Sequence, residues 1–165
     1  AIGLCGADED CLRATIRPKE PIDFGWVGDL TKASVNMAVF TGYVEHHIMP
    51  VVAPLTHDGE GNLLNTNADT IATVISQALA TDYKVRLIYL FEKAGVLADA
   101  DDESSLIETL SLAEYERLKH EGKVHSGMIP KLKNGFDALA NGVSEVVVCR
   151  YDALPDLRIK TSLVL

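Results

Sequence analysis

The stretch LLNTNADTIATVI, residues 63–75, changes its period halfway along. In an extended chain alternate residues share a face, so Asn65 and Asn67 project together, away from Leu64 and Thr66. Beyond Ala68 the pattern becomes helical: Ile71, Val74, Ile75, Ala78 and Leu79 fall at i, i+3, i+4, i+7 and i+8. A strand that runs straight into a helix is the building unit of α/β folds. At the junction Asn67 is placed to cap the helix, and Asp69 sits in its first turn, where the helix dipole favours a carboxylate. Read alone, the three polar residues are a cap, a dipole-matched acid and a turn asparagine.

Outward from this junction the alternation of elements continues. Upstream, HDGEGN (57–62) carries Gly59 and Gly61 and reads as a hairpin turn. Before it, MPVVAPL (49–55) reads as a buried β-branched strand. Met37, Phe40, Val44 and Ile48 mark one face of a helix over 34–47. Earlier still, DFGWVGDL (23–30) suits a strand or loop in which Gly25 and Gly28 allow a close approach of backbone. Downstream, VRLIYLF (85–91) is a near-continuous apolar strand, expected to be central and covered on both faces. A loop follows over 92–105. Ser111 with Glu114 three residues on forms a capping box, and Gly122 ends that helix. Pro130 fits the first turn of another helix running through Leu132, Phe136 and Leu139. SEVVVCR (144–150) and RIKTSLVL (158–165) read as the last strands. The expected class is α/β with a mainly parallel sheet, in which ligands bind at strand-to-helix junctions.

The chain has 165 residues, enough for one domain with a substantial core, taken as 1–165. No apolar run reaches the length of a membrane span. The formal net charge of -9 argues against nucleic acid as the main partner. Cys5, Cys11 and Cys149 are odd in number and lack metal-type spacing, which favours a reduced, cytoplasmic setting.

HSGMIPK (125–131) is the second place where chemistry is expected. Ser126 and Gly127 precede a helix whose first turn holds Lys131. Backbone N–H groups at a helix start beside an ammonium make an anion site. A plain loop-helix junction with a solvated lysine is the commoner arrangement, but an early cation opposes the helix dipole unless an anion is present, which tilts the position slightly toward binding. FEKAGVL (91–97), with Glu92, Lys93 and Gly95, suits a nucleotide pocket or a simple turn. His46 and His47 diverge by about 100° on a helix and do not share a metal. His57, His120 and His125 lack ligand spacing, and ADADDE (98–103) lacks the glycine and terminal Glu of a calcium loop. No protein metal site is expected. No Walker loop, nucleophile elbow or GxGxxG fingerprint occurs.

Taken in order, DFGWVGD (23–29), MPVVAPLTHDGEGNLLNTNADTIA (49–72), FEKAGVL (91–97) and SGMIPKL (126–132) closely resemble the C-terminal part of the N-acetylglutamate kinases of the amino acid kinase family. The likeness covers nearly the whole chain, and the NxNAD and GMIPK blocks at their separation are its specific part. It implies a three-layer αβα sandwich and transfer of the ATP γ-phosphoryl group to the side-chain carboxylate of an N-acylglutamate, in arginine biosynthesis. The acyl group is acetyl by default, with succinyl as the other possibility. Carried over by position, Asn65 and Asn67 fall to the acceptor site. Asp69 orients catalytic lysines, and Lys131 stabilises the transferring phosphoryl group. Glu92, Gly95, Gly127 and Met128 line the nucleotide site. ATP and Mg²⁺ are the implied cofactors.

Two departures accompany the resemblance. The family usually carries a Ser/Thr-Asp pair where this chain has Phe91-Glu92. Its N-terminal part, with glycine-rich segments, a first catalytic lysine and an Arg-containing substrate motif, has no counterpart here. The chain alone is therefore expected to lack kinase turnover, and to associate with itself or with a complementary portion, without membrane or nucleic-acid partners. The competing expectations are a non-catalytic nucleotide- or partner-binding domain of the same fold, or another member of the family.

Overall fold

The computed structural model describes residues 1–99, 101–124 and 127–165. The chain divides into two compact units, Ala1–Thr81 and Asp82–Leu165.

In the first unit three strand pairs and two helices enclose a core. Strands β1 (Ile2–Leu4) and β4 (Pro50–Val52) pair in parallel. β2 (Thr15–Ile16) and β3 (Gly28–Asp29) pair antiparallel, as do β5 (Leu55–His57) and β6 (Leu63–Asn65). The β5–β6 turn is the expected hairpin, with Gly59 at φ +85° and Gly61 at φ +94°, conformations open to glycine. Helix α2 (Ala68–Leu79) turns Ile71, Val74 and Ala78 into the core, where they meet Cys11, Leu12, Val35 and Phe40. Burial pushes the Cys11 thiol up to about 11.

Two expectations for this unit need correction. Helix α1 (Met37–Glu45) is shorter than 34–47: Lys32–Ser34 form a separate 3₁₀ turn, and His47 at φ +55° ends the helical path. Of the proposed apolar face only Phe40 is buried, while Val44 and Ile48 are exposed. The run 49–55 is two strands rather than one, broken at Ala53 and Pro54, the latter lacking a ladder N–H. It is not fully covered either, since Val51 and Leu55 are exposed.

The second unit is built on one four-stranded sheet. Its order is β7 (Arg86–Phe91), β9 (Glu145–Arg150), β10 (Thr161–Val164) and β8 (Thr109–Ser111). The β7–β9 and β10–β8 ladders are parallel, and β9–β10 is antiparallel. Val146, Val147, Val148 and Cys149 of β9 are completely buried, which makes β9 the covered inner strand. The sequence had suggested β7 for that place. Instead β7 lies at the edge of the described sheet and alternates, with Leu87 and Tyr89 buried and Leu90 exposed. Strand β8 was not foreseen.

Helix α3 (Leu112–His120) begins as expected, with the Ser111 side chain accepting a hydrogen bond from the Glu114 N–H at 3.2 Å, and Gly122 follows its end at φ +70°. Helix α4 (Met128–Ala140) packs on β9 and β10. Close approach there requires Gly135: a Cβ at that position would lie 2.6 Å from Leu163 Cδ1 and 3.2 Å from Val146 Cγ1. Tyr115 and Phe136 stack at 5.3 Å between α3 and α4, a further apolar anchor. No helix among the described residues is long and apolar enough to cross a membrane.

Candidate functional site

The predicted residues fall into two groups, one in each unit. In the first unit β6 delivers Asn65, and the alternation is as expected: Leu64 and Thr66 are buried while Asn65 and Asn67 are exposed. Thr66 explains why the chain keeps this register. Its hydroxyl meets that of Thr56 at 2.7 Å and donates to the Gly28 carbonyl at 3.3 Å, so three strands are tied at one buried point. Gly28 has no room for a side chain, since a Cβ there would lie 2.8 Å from Ala14 Cβ and from both hydroxyls. The Asn65 N–H donates to the Trp26 carbonyl at 2.8 Å, which joins the strand to the glycine-rich segment before β3.

Asn67 caps α2 as the sequence suggested, its Oδ1 accepting from the Thr70 N–H at 3.0 Å. Asp69 lies in the first turn, half-buried, and its carbonyl accepts from the Thr73 hydroxyl at 2.7 Å. Asn65, Asn67 and Asp69 therefore sit on one short stretch of strand, cap and first helical turn.

In the second unit the loop after β7 and the segment entering α4 form a hollow of about 180 Å³. Glu92, Gly95 and Met128 line it, together with Val96, Leu97 and Val124. The walls are largely apolar, because Val96, Val124 and Met128 are buried among the neighbouring chain. Lys93 and Lys123 also line it. A wider groove of about 620 Å³ takes its walls from Leu90, Phe91, Glu92, Gly127, Lys131 and Tyr151. Phe91 and Glu92 line both hollows, which therefore lie beside one another at the end of β7. Lys131 is half-buried, with its Nζ 6.0 Å from the centre of the Tyr89 ring.

All four residues expected around a nucleotide therefore gather within the second unit, and Lys131 with them. Ser126, expected at the same helix start, lies outside the described residues. The sequence reading missed Val124, Lys123 and Leu97, whose only signal was proximity to the chosen motifs, and Tyr151, for which there was none. Among the described residues no group of three His, Cys, Asp or Glu side chains is arranged to hold a metal ion. The second unit thus holds a largely apolar hollow beside a helix whose first turn carries Lys131.

The sequence matches the amino acid kinase family over residues 1–150. It is 46% identical over 156 residues to the acetylglutamate kinase of Bacteroides thetaiotaomicron, a match that covers 94% of this chain and 60% of that protein. The chain thus spans about three fifths of the length of the curated relatives it matches. Among solved structures, smu.665 from Streptococcus mutans superimposes with a TM-score of 0.75 and 28% identity, over 90% of this chain and 56% of that one. The N-acetylglutamate synthase of Neisseria gonorrhoeae, solved with coenzyme A and N-acetyl-glutamate, gives a TM-score of 0.80 at 21% identity, over 98% and 37% of the two chains. The α/β class with parallel pairings, expected from the sequence, is the class shared by these relatives.

Proposed function

Because the chain belongs to the amino acid kinase family, we propose that it carries the nucleotide-binding portion of an N-acylglutamate kinase, both compact units being parts of that one portion. The observation that supports this most directly is the apolar hollow of Gly95, Val96, Leu97, Val124 and Met128, which shares Phe91 and Glu92 with the groove that Lys131 lines at the start of α4. An adenine ring fits such walls, and phosphates fit the end where a lysine and a helix N-terminus meet. The acceptor is assigned from likeness to acetylglutamate kinases, and with it a place in arginine biosynthesis; a cytoplasmic setting is assigned from the odd number and spacing of the cysteines. N-acetyl-L-glutamate is the first acceptor to test.

In this reading the reaction asks little covalent chemistry of the protein. A carboxylate acceptor is already ionised near neutral pH and needs no general base. Alignment of donor and acceptor, and cations to balance charge on the phosphoryl oxygens, supply most of the acceleration. Lys131 provides one such charge. Asp69 sets the orientation of catalytic lysines, and Glu92, Gly95, Gly127 and Met128 hold the nucleotide. Asn65 binds the acylated amino acid. Asn67 spends Oδ1 on its cap, and its amide N–H groups serve the acceptor. Magnesium ion, bound mainly through phosphate oxygens, would add a further positive charge at the transferring group.

Calorimetric titration of the chain with ATP, with and without Mg²⁺, tests the reading. The expected result is Mg²⁺-dependent binding that weakens roughly 10- to 100-fold in Lys131→Ala, the usual worth of a charge-assisted contact to phosphate. Undetectable binding, or an affinity indifferent to Lys131→Ala, would remove the basis of the proposal.

A further inference from the structure

Thr161, the first residue of β10, is completely buried, although its side chain is polar. Its hydroxyl both accepts and donates. It accepts from the Val96 N–H at 2.8 Å and donates to the Ile107 carbonyl at 2.7 Å. Val96 is one wall of the apolar hollow, and its neighbours Gly95 and Leu97 are two more. The same stretch is held a second time, since the Ile107 N–H donates to the Val96 carbonyl at 2.9 Å and Leu97 bridges Leu106. Thr161 therefore joins the loop after β7 to a strand 65 positions later.

Gly95 shows how close that joint is. A Cβ there would lie 2.5 Å from Thr161 Oγ1, 2.8 Å from Leu106 Cδ1 and 3.0 Å from Thr161 N. The constraint on Gly95 is thus imposed by Thr161 and Leu106. Its φ is not among the positive values of the chain, so conformational freedom is not the reason for glycine here.

We infer that Thr161 is a positioning residue for the hollow: its hydroxyl fixes the backbone of Gly95 and Val96 at the depth the occupant requires, without touching that occupant. The inference rests on the reading of the hollow as a nucleotide site. A buried N–H that loses its acceptor leaves its place to find another, so removing the hydroxyl moves the wall. Val keeps the shape of the side chain and removes the hydroxyl, whereas Ser keeps the hydroxyl and removes the methyl.

The experiment combines two readouts on the whole chain. Hydrogen exchange of the Val96 amide reports on the joint itself, and titration with Mg·ATP reports on the hollow. In Thr161→Val the Val96 amide exchanges faster and the dissociation constant rises roughly 5- to 30-fold. Thr161→Ser restores both, a rescue that loss of the methyl's packing alone would not permit. Gly95→Ala, which attacks the same contact from the loop side, also speeds exchange of the Val96 amide and supplies the test of the joint should Thr161→Val not fold. Unchanged Val96 exchange in Thr161→Val would show that the joint does not hold the loop. Faster exchange with unchanged affinity would reduce Thr161 to a structural residue. Absence of binding in the parent chain would instead overturn the nucleotide reading, and with it this role, while the exchange data still report on the joint.

Discussion

In the first unit the hydroxyls of Thr56 and Thr66 meet 10 positions apart, behind Gly28 and under the strand that presents Asn65. In the second, Thr161 reaches back 65 positions to the Val96 amide, behind Gly95 and under the loop that lines the hollow. Both arrangements put a buried threonine against a glycine that has no space for a Cβ. They differ in what the threonine holds. Thr66 belongs to the segment it orients and ties neighbouring strands, so it sets a register. Thr161 lies on a different element from the loop it holds and sets a distance. A register error would turn Asn65 and Asn67 toward the interior, because a shift of one residue exchanges the two faces of a strand. A distance error would leave the fold intact and alter only the depth of the hollow. The first unit is therefore expected to respond to substitution in stability, and the second in affinity.

The largest effect on that contrast is expected from Gly28→Ala. The added methyl meets two hydroxyls and Ala14 at 2.8 Å, none of which can withdraw without disturbing the buried pair. Overpacking and the loss of that pair together should cost about 3 kcal/mol or more, read as a lowered denaturation midpoint. A stability within about 0.5 kcal/mol of the parent would mean that the three-strand knot is looser than its distances say. Next comes Thr66→Val, which leaves Thr56 with only the long bond to the Leu64 carbonyl at 3.4 Å. About 1–3 kcal/mol should be lost. The Thr56→Val, Thr66→Val double variant should lose less than the sum of the singles, because the pair acts as one unit. Simple additivity would break the proposed coupling.

The same contrast governs what could be read from the sequence. The stretch around Asn65 and Asp69 was legible because its two periods are local. Alternation fixed which residues of β6 face out, and 3.6-residue spacing fixed the buried side of α2. The hairpin glycines and the start of α3 were legible for the same reason. Burial of Thr66 followed from alternation, but its partner Thr56 did not, because nothing in a strand's own pattern says which residue lies across from it. Strand β7 reads as apolar whether it is central or at an edge, so its place depended on β9, which pairs with it after a crossover. Leu90 reads as core and instead walls a groove. Strand β8, three residues long, is too short to show a period. Thr161 gave no signal, since its role exists only where segments distant in sequence meet. The hollow was half legible: Glu92, Gly95 and Met128 came with the motifs, whereas Val124 came from the approach of one segment to another.

The smallest effect concerns the two helix starts, which repeat the contrast on a finer scale. Helix α2 begins on Asn67, whose own side chain satisfies the Thr70 N–H. Helix α4 begins on Gly127, which brings no side chain to the task, directly beside the groove that Lys131 lines. A helix that caps itself gains stability from the cap, whereas one that starts on glycine takes none from that residue's side chain. Asn67→Ala should therefore cost about 1 kcal/mol, visible as faster amide exchange in the first turn of α2. Asn67→Asp and Asn67→Ser keep an acceptor at the cap and should return most of that loss. If Asn67 also meets the acceptor through its amide N–H groups, Asp restores the helix without restoring acceptor binding, since a carboxylate has no N–H to donate. Equal recovery of both properties in Asn67→Asp would confine Asn67 to capping and leave Asn65 as the asparagine that binds.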